Sequence, residues 1–526
     1  MSPPSTSAAR EPAKKTPAKR AAKKTPAKPR KATRKKPKWL VGPTPQDILS
    51  PANFRPEPKA PEAPSICDTT RLKHVIANPA LYEVAAAVFP PKARKGPGRP
   101  AHYPAYIYLI YLAAIAIYDS SRHTQSTFQE PDMWKIVRAE IRSFLGDEEA
   151  DALPDTGPSL HQWNDFYRKK LRPAVHEFRE ASRDVWIRQA IAHGLLSEKR
   201  KRGDWLRPHR SQTINGDGTV VRPPSDQTEE FTDDEKTGER RRHRVDHDAG
   251  IQMEGGDRTV YGKKIVSFSV RQEARCHSRF ILNADSARHR SPEEDPERDE
   301  EASAALRLAH EILDRAPGVI AASFDTAWRG KHRAPLIRRG LIVFTRQHDG
   351  INPHPLAKYQ CKCKKKCECQ YEKCTHDVYA AVGRSCERQI TVDGKTIYNP
   401  LPVRELIARY GKKGWRFYHQ IEIPCRNRPH TELIPVYETE DDSAIDPRTK
   451  RKRFNRTEHL RQIPPGTHYG DRLLGFREDS ESSNSSLDYS HRDRRVPMYG
   501  AEGALLGYLG YAWVNNSIAL ATAATP

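Results

Sequence analysis

The stretch from residue 212 to 346 constrains the fold more than any other part of this chain, because its strand and helix patterns follow a fixed order. Apolar positions three to four apart predict a helix over 300–315, and a short buried strand follows at 318–328. Three successive strands can form an antiparallel meander, and a helix can then return the chain to pair a fourth strand in parallel with the first. The pattern therefore predicts an α/β fold, a mixed sheet flanked by helices. Alternation of apolar and polar residues predicts the three strands at 212–221, 263–271 and 279–285.

Aspartates stand at the predicted ends of the first and fourth strands. Asp217 lies in NGDG, and Asp325 lies in SFDTAW. Adjacent strands would bring the two carboxylates together, where their mutual repulsion favours a bound cation. A third carboxylate from a helix would complete an all-oxygen site for two divalent ions. Each aspartate also has a simpler interpretation, because Asp217 suits a turn and Asp325 suits a helix cap.

The segment 475–488, with the sequence GFREDSESSNSSLD, contains candidates for the third carboxylate. Arg477 and Glu481 are four residues apart and therefore share one face of a predicted helix. Glu478 and Asp479 are alternative ligands, and all of these acids could instead be solvated surface charges. The segment thus offers a third ligand without identifying it from spacing alone.

Three motifs of the chain resemble those of DDE-type transposases of bacterial insertion sequences, whose catalytic domain has an RNase H-like fold. They are the strand around Asp217, the strand around Asp325 with Trp328 three residues later, and the helix pattern around Glu481. The resemblance covers residues 205–520 and includes a long insertion before the last acidic residue. It implies that Asp217, Asp325 and Glu481 bind two Mg²⁺ or Mn²⁺ ions, while Arg477 orients Glu481 or contacts phosphate.

The family's third motif has the form Y-(2)-R-(3)-E-(6)-K on a helix. Arg477 and Glu481 satisfy its R-(3)-E spacing, and Leu487 matches the apolar residue before the Lys, which favours Glu481 among the neighbouring acids. Leu474 and Asp488 replace the aromatic residue and the Lys, so the chain departs from the family at both positions. The family's Lys contacts DNA phosphate. Four side chains further on are expected to replace it: His491, Arg492, Arg494 and Arg495.

The resemblance implies metal-dependent cleavage of DNA at the ends of a mobile element, followed by in-line transfer of the freed 3′-hydroxyl to target DNA. A homo-oligomer that holds two ends of double-stranded DNA is expected, in the nucleoid of a bacterial cytoplasm. Two alternatives stay open. One is a non-catalytic DNA-binding or chromatin-like protein derived from a transposase, and the other is a nuclease of the same fold without strand transfer.

The charge of the chain agrees with a DNA partner. The formal net charge is +23, which indicates a polyanion such as nucleic acid. Residues 1–38 hold fourteen Lys and Arg against one Glu, in a low-complexity sequence that cannot form a core. A solubilising or targeting tail is the alternative interpretation. Gly-Arg-Pro at 98–100 resembles an AT-hook and makes Arg94, Lys95 and Arg99 candidate DNA contacts, although this segment could simply begin a helix.

Cysteines are concentrated in one short segment. The chain has nine cysteines, five of them between residues 361 and 374, which favours a metal site over a disulfide framework. Thiolates interleaved with lysines suit structural Zn²⁺, and a reduced loop or redox-sensitive thiols are the alternatives. Cys386, Cys425 and His430 are weaker additional candidates. The predicted zinc ligands are Cys361, Cys363, Cys367, Cys369, Cys374 and His376.

Composition divides the chain into successive segments. The apolar run at 105–118 is 14 residues long and suits a buried core helix better than a membrane span. No secretory signal pattern is visible, so an intracellular protein is expected. The predicted segments are a disordered basic tail and Pro-rich linker (1–65), a helical DNA-binding domain (66–205), the first part of the catalytic domain (206–350), a Cys-rich insertion (351–465) and C-terminal catalytic helices (466–526).

Overall fold

The computed structural model describes residues 39–50, 65–91, 102–198, 205–233, 237–254, 258–273, 276–287, 300–348, 350–360, 375–391, 394–425 and 429–523, without the side chains of 253, 477–481 and 483. The strands are β1 Trp39–Val41, β2 Thr213–Val221, β3 Phe231–Asp233, β4 Arg240–Arg242, β5 Gly250–Glu254, β6 Arg258–Arg271, β7 Arg279–Ser286, β8 Ala321–Ser323, β9 Ile342–Phe344, β10 His354–Gln360, β11 Thr375–Ala381, β12 Arg384–Ile390, β13 Thr396–Pro400, β14 Val403–Gly411, β15 Gly414–Ile423 and β16 His430–Pro435.

The helices alternate with these strands only in the middle of the chain. They are α1 Asp68–Ile76, α2 Pro79–Val88, α3 Ala105–Tyr118, α4 Ser121–Gln129, α5 Pro131–Leu145, α6 Asp147–Asp151, α7 Leu160–Phe166, α8 Val175–Ala192, α9 Glu301–Leu313, α10 Gly330–Arg338, α11 Glu440–Ser443, α12 Arg456–His459, α13 His468–Ser490 and α14 Ala501–Ala523. The fold is therefore mixed α/β, as predicted.

The central sheet has the order of strands that the sequence pattern predicts. β2, β6 and β7 form an antiparallel meander, and the chain then passes through α9 into β8. β8 pairs in parallel with β2, and β9 pairs in parallel with β8. β5, which the sequence pattern does not predict, pairs with the first residues of β6. The parallel pairing of β2 and β8 places Asp217, on β2, beside the segment in which Asp325 follows β8 by two residues.

The N-terminal helices share a hydrophobic core with the C-terminal helix α14 and with the sheet. Residues 106–117 of α3 are all buried, as expected for a helix that is apolar around its whole circumference. The same core contains Leu509 of α14 and Ile265 of β6. Across it, the Asn78 side chain donates to the Ser517 hydroxyl at 2.9 Å. Among the helices that the structure describes, α14 included, none is long and apolar enough to cross a membrane.

The region predicted as a Cys-rich insertion contains two small antiparallel sheets. One has the order β13–β12–β11–β10, with β1 added in parallel to β13, and the other has the order β14–β15–β16. Phe417 and Ile421 of β15 pack into the core on the second face of the central sheet, together with Leu308 of α9 and Phe476 of α13. The insertion is thus attached to the central sheet by apolar packing.

A buried ion cluster attaches the helical region to the central sheet. Arg179 and Arg183 of α8 are each 4% exposed, and both contact one oxygen of Glu311 on α9, at 3.0 and 2.8 Å. Asn283 of β7 donates to the same oxygen at 2.9 Å. Because the guanidinium groups and the amide satisfy this carboxylate, three separate elements are held in one geometry.

Candidate active site

Asp217 lies in the middle of β2 and not at a turn. It pairs with Ser267 of the antiparallel neighbour β6, and pairing continues on both sides of it. The interpretation of Asp217 as a turn residue is therefore wrong. Its side chain is half-buried, so the carboxylate can meet both the protein interior and solvent.

The glycines on either side of this aspartate are required by packing. A Cβ atom at Gly216 would lie 2.4 Å from the Phe268 ring and 2.8 Å from the Phe324 ring. At Gly218 it would lie 2.0 Å from an oxygen of Glu301. Real Cβ atoms do not approach so closely, so the sequence NGDG lets an aromatic cluster and a carboxylate come close to β2 beside the aspartate.

The two aspartates lie at the same level of the sheet. The last register pair between β2 and β8 is Asn215 with Ser323, and the Ser323 hydroxyl donates to the Asn215 amide oxygen at 2.7 Å. Asp217 and Asp325 each follow that pair by two residues. Two parallel neighbours are about 4.8 Å apart in the hydrogen-bonding direction, so this register places the two residues at the same edge of neighbouring segments of chain.

Asp325 begins the turn that follows β8. Its Oδ1 accepts a hydrogen bond from the backbone N–H of Ala327 at 2.8 Å, which fixes the carboxylate. The interpretation of Asp325 as a cap is wrong, because the N-cap of α10 is Arg329. Trp328, three residues after the aspartate, is 1% exposed, and its indole N–H donates to the carbonyl of Ala302. The aromatic residue of this motif thus secures the turn against α9.

Helix α13 crosses β2 at the position of Asp217. Thr467 caps the helix by accepting a backbone hydrogen bond, and Phe476 and Leu487 are buried beneath it. Between these two apolar residues, the Asn484 side chain donates to Asp217 Oδ2 at 2.9 Å. A polar contact that no sequence motif indicates therefore joins the helix directly to the first candidate ligand.

Arg477 and Glu481 both lie within α13, as predicted. Glu481 precedes Asn484 by three residues and Arg477 precedes it by seven, so the three positions share one face of the helix. The side chains of Arg477 and Glu481 lie outside the described atoms, as do those of Glu478 and Asp479. The backbone of α13 nevertheless places residue 481 one turn from the contact with Asp217.

Glu301, in the first turn of α9, is a further carboxylate near the candidate site that the motifs did not predict. It lies against Gly218 and forms an ion pair with Lys264 of β6 at 2.5 Å. Burial raises the pKa of Glu301; Lys264 opposes this rise, and the charge of Asp325 adds to it. The charge of Asp325 is thus near enough to Glu301 to influence its ionisation.

The donor groups at this site suit a hard divalent cation. Asp217 and Asp325 offer carboxylate oxygens, which Mg²⁺ and Mn²⁺ prefer, and Glu481 would add a third. Among the described side chains, no three His, Cys, Asp or Glu are already arranged to hold a metal ion, but that set does not include the side chain of Glu481. The two predicted aspartates and the predicted glutamate therefore fit such an ion in donor type.

Asp488 occupies the position of the family's Lys and has a partner within the chain. Its Oδ1 lies 2.9 Å from Nε of Arg494, and Arg494 also contacts Glu254 at 2.5 Å. Arg495 pairs with Asp226 at 2.6 Å. Both arginines are thus engaged in ion pairs inside the protein, so their predicted contacts with DNA would require sharing or exchange of these partners.

The other predicted DNA contacts differ in their surroundings. His491 is fully buried, and its Nε2 lies 3.3 Å from the carbonyl of Gly507 in α14. The prediction that this ring contacts DNA is therefore wrong, because α14 covers it. Arg492 is exposed and keeps the predicted access to solvent. The remaining three, Arg94, Lys95 and Arg99, lie outside the described residues.

Two basic hairpins were not predicted. Strands β3 and β4 lie between β2 and β6 in the chain and pair with each other. All three residues of β4, Arg240–Arg242, are exposed. In the second hairpin, between β14 and β15, Lys412 and Lys413 form the tip and the Tyr410 side chain is 76% exposed. Exposed arginines and an exposed aromatic ring are groups that bind nucleic acid.

The predicted zinc ligands can be placed only in part. Cys361, Cys363, Cys367, Cys369 and Cys374 lie outside the described residues. His376 lies at the start of β11, where its Nδ1 is 2.7 Å from a carboxylate oxygen of Glu387 on β12. Among the weaker candidates, Cys386 and Cys425 are both buried.

Comparison with known proteins adds no assignment to this geometry. No protein-family model matches the chain, and no curated protein sequence matches it significantly. The functional argument therefore depends on the residues and their arrangement.

Proposed function

We propose that the chain is a transposase-like enzyme that cleaves DNA and transfers the cut strand in a metal-dependent reaction. The observation that carries the proposal is that Asp217 on β2 and Asp325 after β8 each follow the last register pair of these parallel strands by two residues, with α13 bonded to Asp217 through Asn484. The order of the central strands, an antiparallel meander followed by a helix and two parallel strands, supports an RNase H-like catalytic domain.

The residues of the site have distinct roles in this proposal. Asp217, Asp325 and Glu481 would hold two divalent ions, which when bound activate the attacking oxygen and stabilise the leaving oxygen. Asn484 orients the carboxylate of Asp217, and the N–H of Ala327 orients that of Asp325. The protein thus supplies position and preorganised charge, which is the main contribution of enzymes to phosphoryl transfer.

The reaction consists of two in-line displacements. In the first, water attacks a phosphodiester, a new P–O bond forms to the water oxygen, and a 3′-hydroxyl leaves at the end of the element. In the second, this 3′-hydroxyl attacks a target phosphodiester and displaces a target 3′-hydroxyl. Each step makes one P–O bond and breaks one, so no oxidant or energy source is required. The same carboxylates can serve both steps.

The exposed strand Arg240–Arg242 is proposed to bind the DNA backbone. We expect replacement of its three arginines by alanine to weaken DNA binding and to reduce the slope of log K against log salt by about 2.7, which is 0.9 for each lost phosphate contact. Cleavage at saturating DNA should change little. Fluorescence anisotropy across a salt series measures both the affinity and the slope.

The matched control removes three arginines that already have acidic partners. Arg142 pairs with Asp147, Arg188 with Glu83 and Arg315 with Asp184. Their combined replacement changes the net charge equally and should leave the slope nearly unchanged. Equal losses of affinity and slope in both triple variants would show that only net charge matters, and the assignment of this strand to DNA binding would then fail.

The experiment that tests the proposed function uses the full chain and a supercoiled plasmid carrying the DNA that flanks its reading frame. Nicking should require Mg²⁺ or Mn²⁺ and stop with a chelator, and precut ends should become joined to target DNA. Nicking without joining would support a nuclease instead. Tight DNA binding without metal-dependent nicking would support the non-catalytic alternative and contradict the proposal.

A further inference from the structure

His376 has an unusual combination of burial and hydrogen bonding. Its residue is 7% exposed, and Nδ1 lies 2.7 Å from the Glu387 carboxylate. A carboxylate accepts, so Nδ1 carries the proton and Nε2 presents a lone pair. Within the described part of the chain, this buried Nε2 has no hydrogen-bond partner. A histidine whose far nitrogen bonds a carboxylate is the usual arrangement of a metal ligand.

Cys425 and His430 lie near the His376 ring, at the two ends of the β15–β16 loop. Cys425 is 5% exposed. Cys425 interacts with the His376 side chain, so the thiol lies near the ring. The His430 ring centroid is 6.2 Å from that of His376. Four residues separate Cys425 from His430, a spacing close to those of zinc-ligand pairs.

The three side chains come from both small sheets of the insertion. His376 lies on β11 of one sheet, whereas Cys425 and His430 flank the β15–β16 loop of the other. An ion bound among them would link the two sheets, as structural Zn²⁺ does in small domains that lack a large core. The side chains do not yet stand at metal-bonding distances, so uptake should draw them together.

Cys386 is the buried thiol that this arrangement excludes. It is fully buried on β12, and its Sγ donates to the carbonyl of Ala381 at 3.7 Å. Burial raises the pKa of Cys386 to about 12, so it remains a thiol at neutral pH. Because only the thiolate ligates metal, Cys386 is a natural control for Cys425.

We propose that His376 Nε2, Cys425 Sγ and the His430 imidazole bind one Zn²⁺ ion that fastens the two sheets of the insertion together, with Glu387 as a positioning residue. The site is independent of the proposed DNA chemistry.

The test measures zinc per chain in the full-length protein by elemental analysis after dialysis against Zn²⁺ and gel filtration. Cys425→Ser and His430→Gln should each hold one ion fewer than the wild type, and Cys386→Ser should hold the same number. Co²⁺ substitution adds a direct signature, because loss of Cys425 removes thiolate-to-metal charge-transfer absorbance. Glu387→Gln should keep the ion but bind it about 10- to 100-fold more weakly.

Two results would overturn this assignment. One is equal zinc content and equal Co²⁺ absorbance in Cys425→Ser and Cys386→Ser. The other is an unchanged metal affinity in both His430→Gln and Glu387→Gln, which keeps the test decisive if Cys425→Ser fails to fold. Nicking activity plays no part in either readout, so failure of the zinc site and failure of the proposed DNA reaction are distinguishable.

Discussion

Replacement of Asp217 or Asp325 by Asn is expected to lower the rate of Mg²⁺-dependent nicking by about 10³-fold or more. Asn keeps the shape of Asp but removes the charge that binds the cation. Metal ions supply several kcal/mol of charge stabilisation in phosphoryl transfer, and each 1.36 kcal/mol changes the rate about tenfold. Glu481→Gln should act in the same direction, since residue 481 lies one turn from the contact of α13 with Asp217.

The measurement is single-turnover nicking of the flanking-DNA plasmid, with DNA affinity measured separately without metal. DNA affinity without metal should not fall, because the substitution removes a negative charge that repels the phosphate backbone. Asp314→Asn is the matched control: this exposed aspartate ends α9 and pairs with Arg339 at 2.8 Å. A nicking rate in Asp325→Asn equal to that of Asp314→Asn would contradict the assignment of the site.

The strand order could be predicted because it follows from local patterns. Alternation at 263–271 and a three-to-four spacing at 300–315 report which faces are buried, and these faces leave few ways to assemble a sheet. Parallel pairing of the first and fourth strands then predicts that Asp217 and Asp325 lie at the same edge of the sheet. These parts of the site needed no tertiary information beyond the order of the elements.

Other parts of the site depend on contacts between distant segments. Glu301 lies in the predicted helix, yet only the docking of α9 against Gly218 shows that its carboxylate joins the site. Asn484 stands among serines and acids, and nothing in its neighbourhood marks it as the partner of Asp217. His491 was predicted to contact DNA, but it is fully buried against α14. Register between packed elements is the information that a single sequence does not contain.

The insertion shows the same limit. The cluster of cysteines predicts a metal site at residues 361–374. The ligand candidates Cys425 and His430 lie about fifty residues further on and were only weaker candidates. They approach His376 only because two separate sheets pack near each other. The strand Arg240–Arg242 could not be predicted, because its sequence has no apolar alternation. It forms only by pairing with Phe231–Asp233.

Replacement of Glu311 by Gln is expected to destabilise the protein by about 2 kcal/mol, because it leaves two buried guanidinium groups without their shared carboxylate. Burial alone would raise the pKa of Glu311, but hydrogen bonds and charge from Arg179, Asn283 and Arg183 lower it to about 2. The folded pKa is thus below the unfolded one. This contribution is therefore complete above about pH 4.5 and is lost as the pH falls toward 2.

Urea unfolding followed by tryptophan fluorescence measures this effect, since Trp186 of α8 packs against Trp513 of α14 at a ring distance of 5.4 Å. Below pH 4.5 the wild type should lose stability more steeply than Glu311→Gln, so that their unfolding midpoints converge. Glu177→Gln, which changes an exposed residue of α8, should follow the wild type within about 0.5 kcal/mol. A midpoint for Glu311→Gln equal to that of Glu177→Gln at neutral pH would show that the apolar core alone holds α8 against the sheet. A lower midpoint with unchanged acid dependence would place the acid sensitivity in other carboxylates.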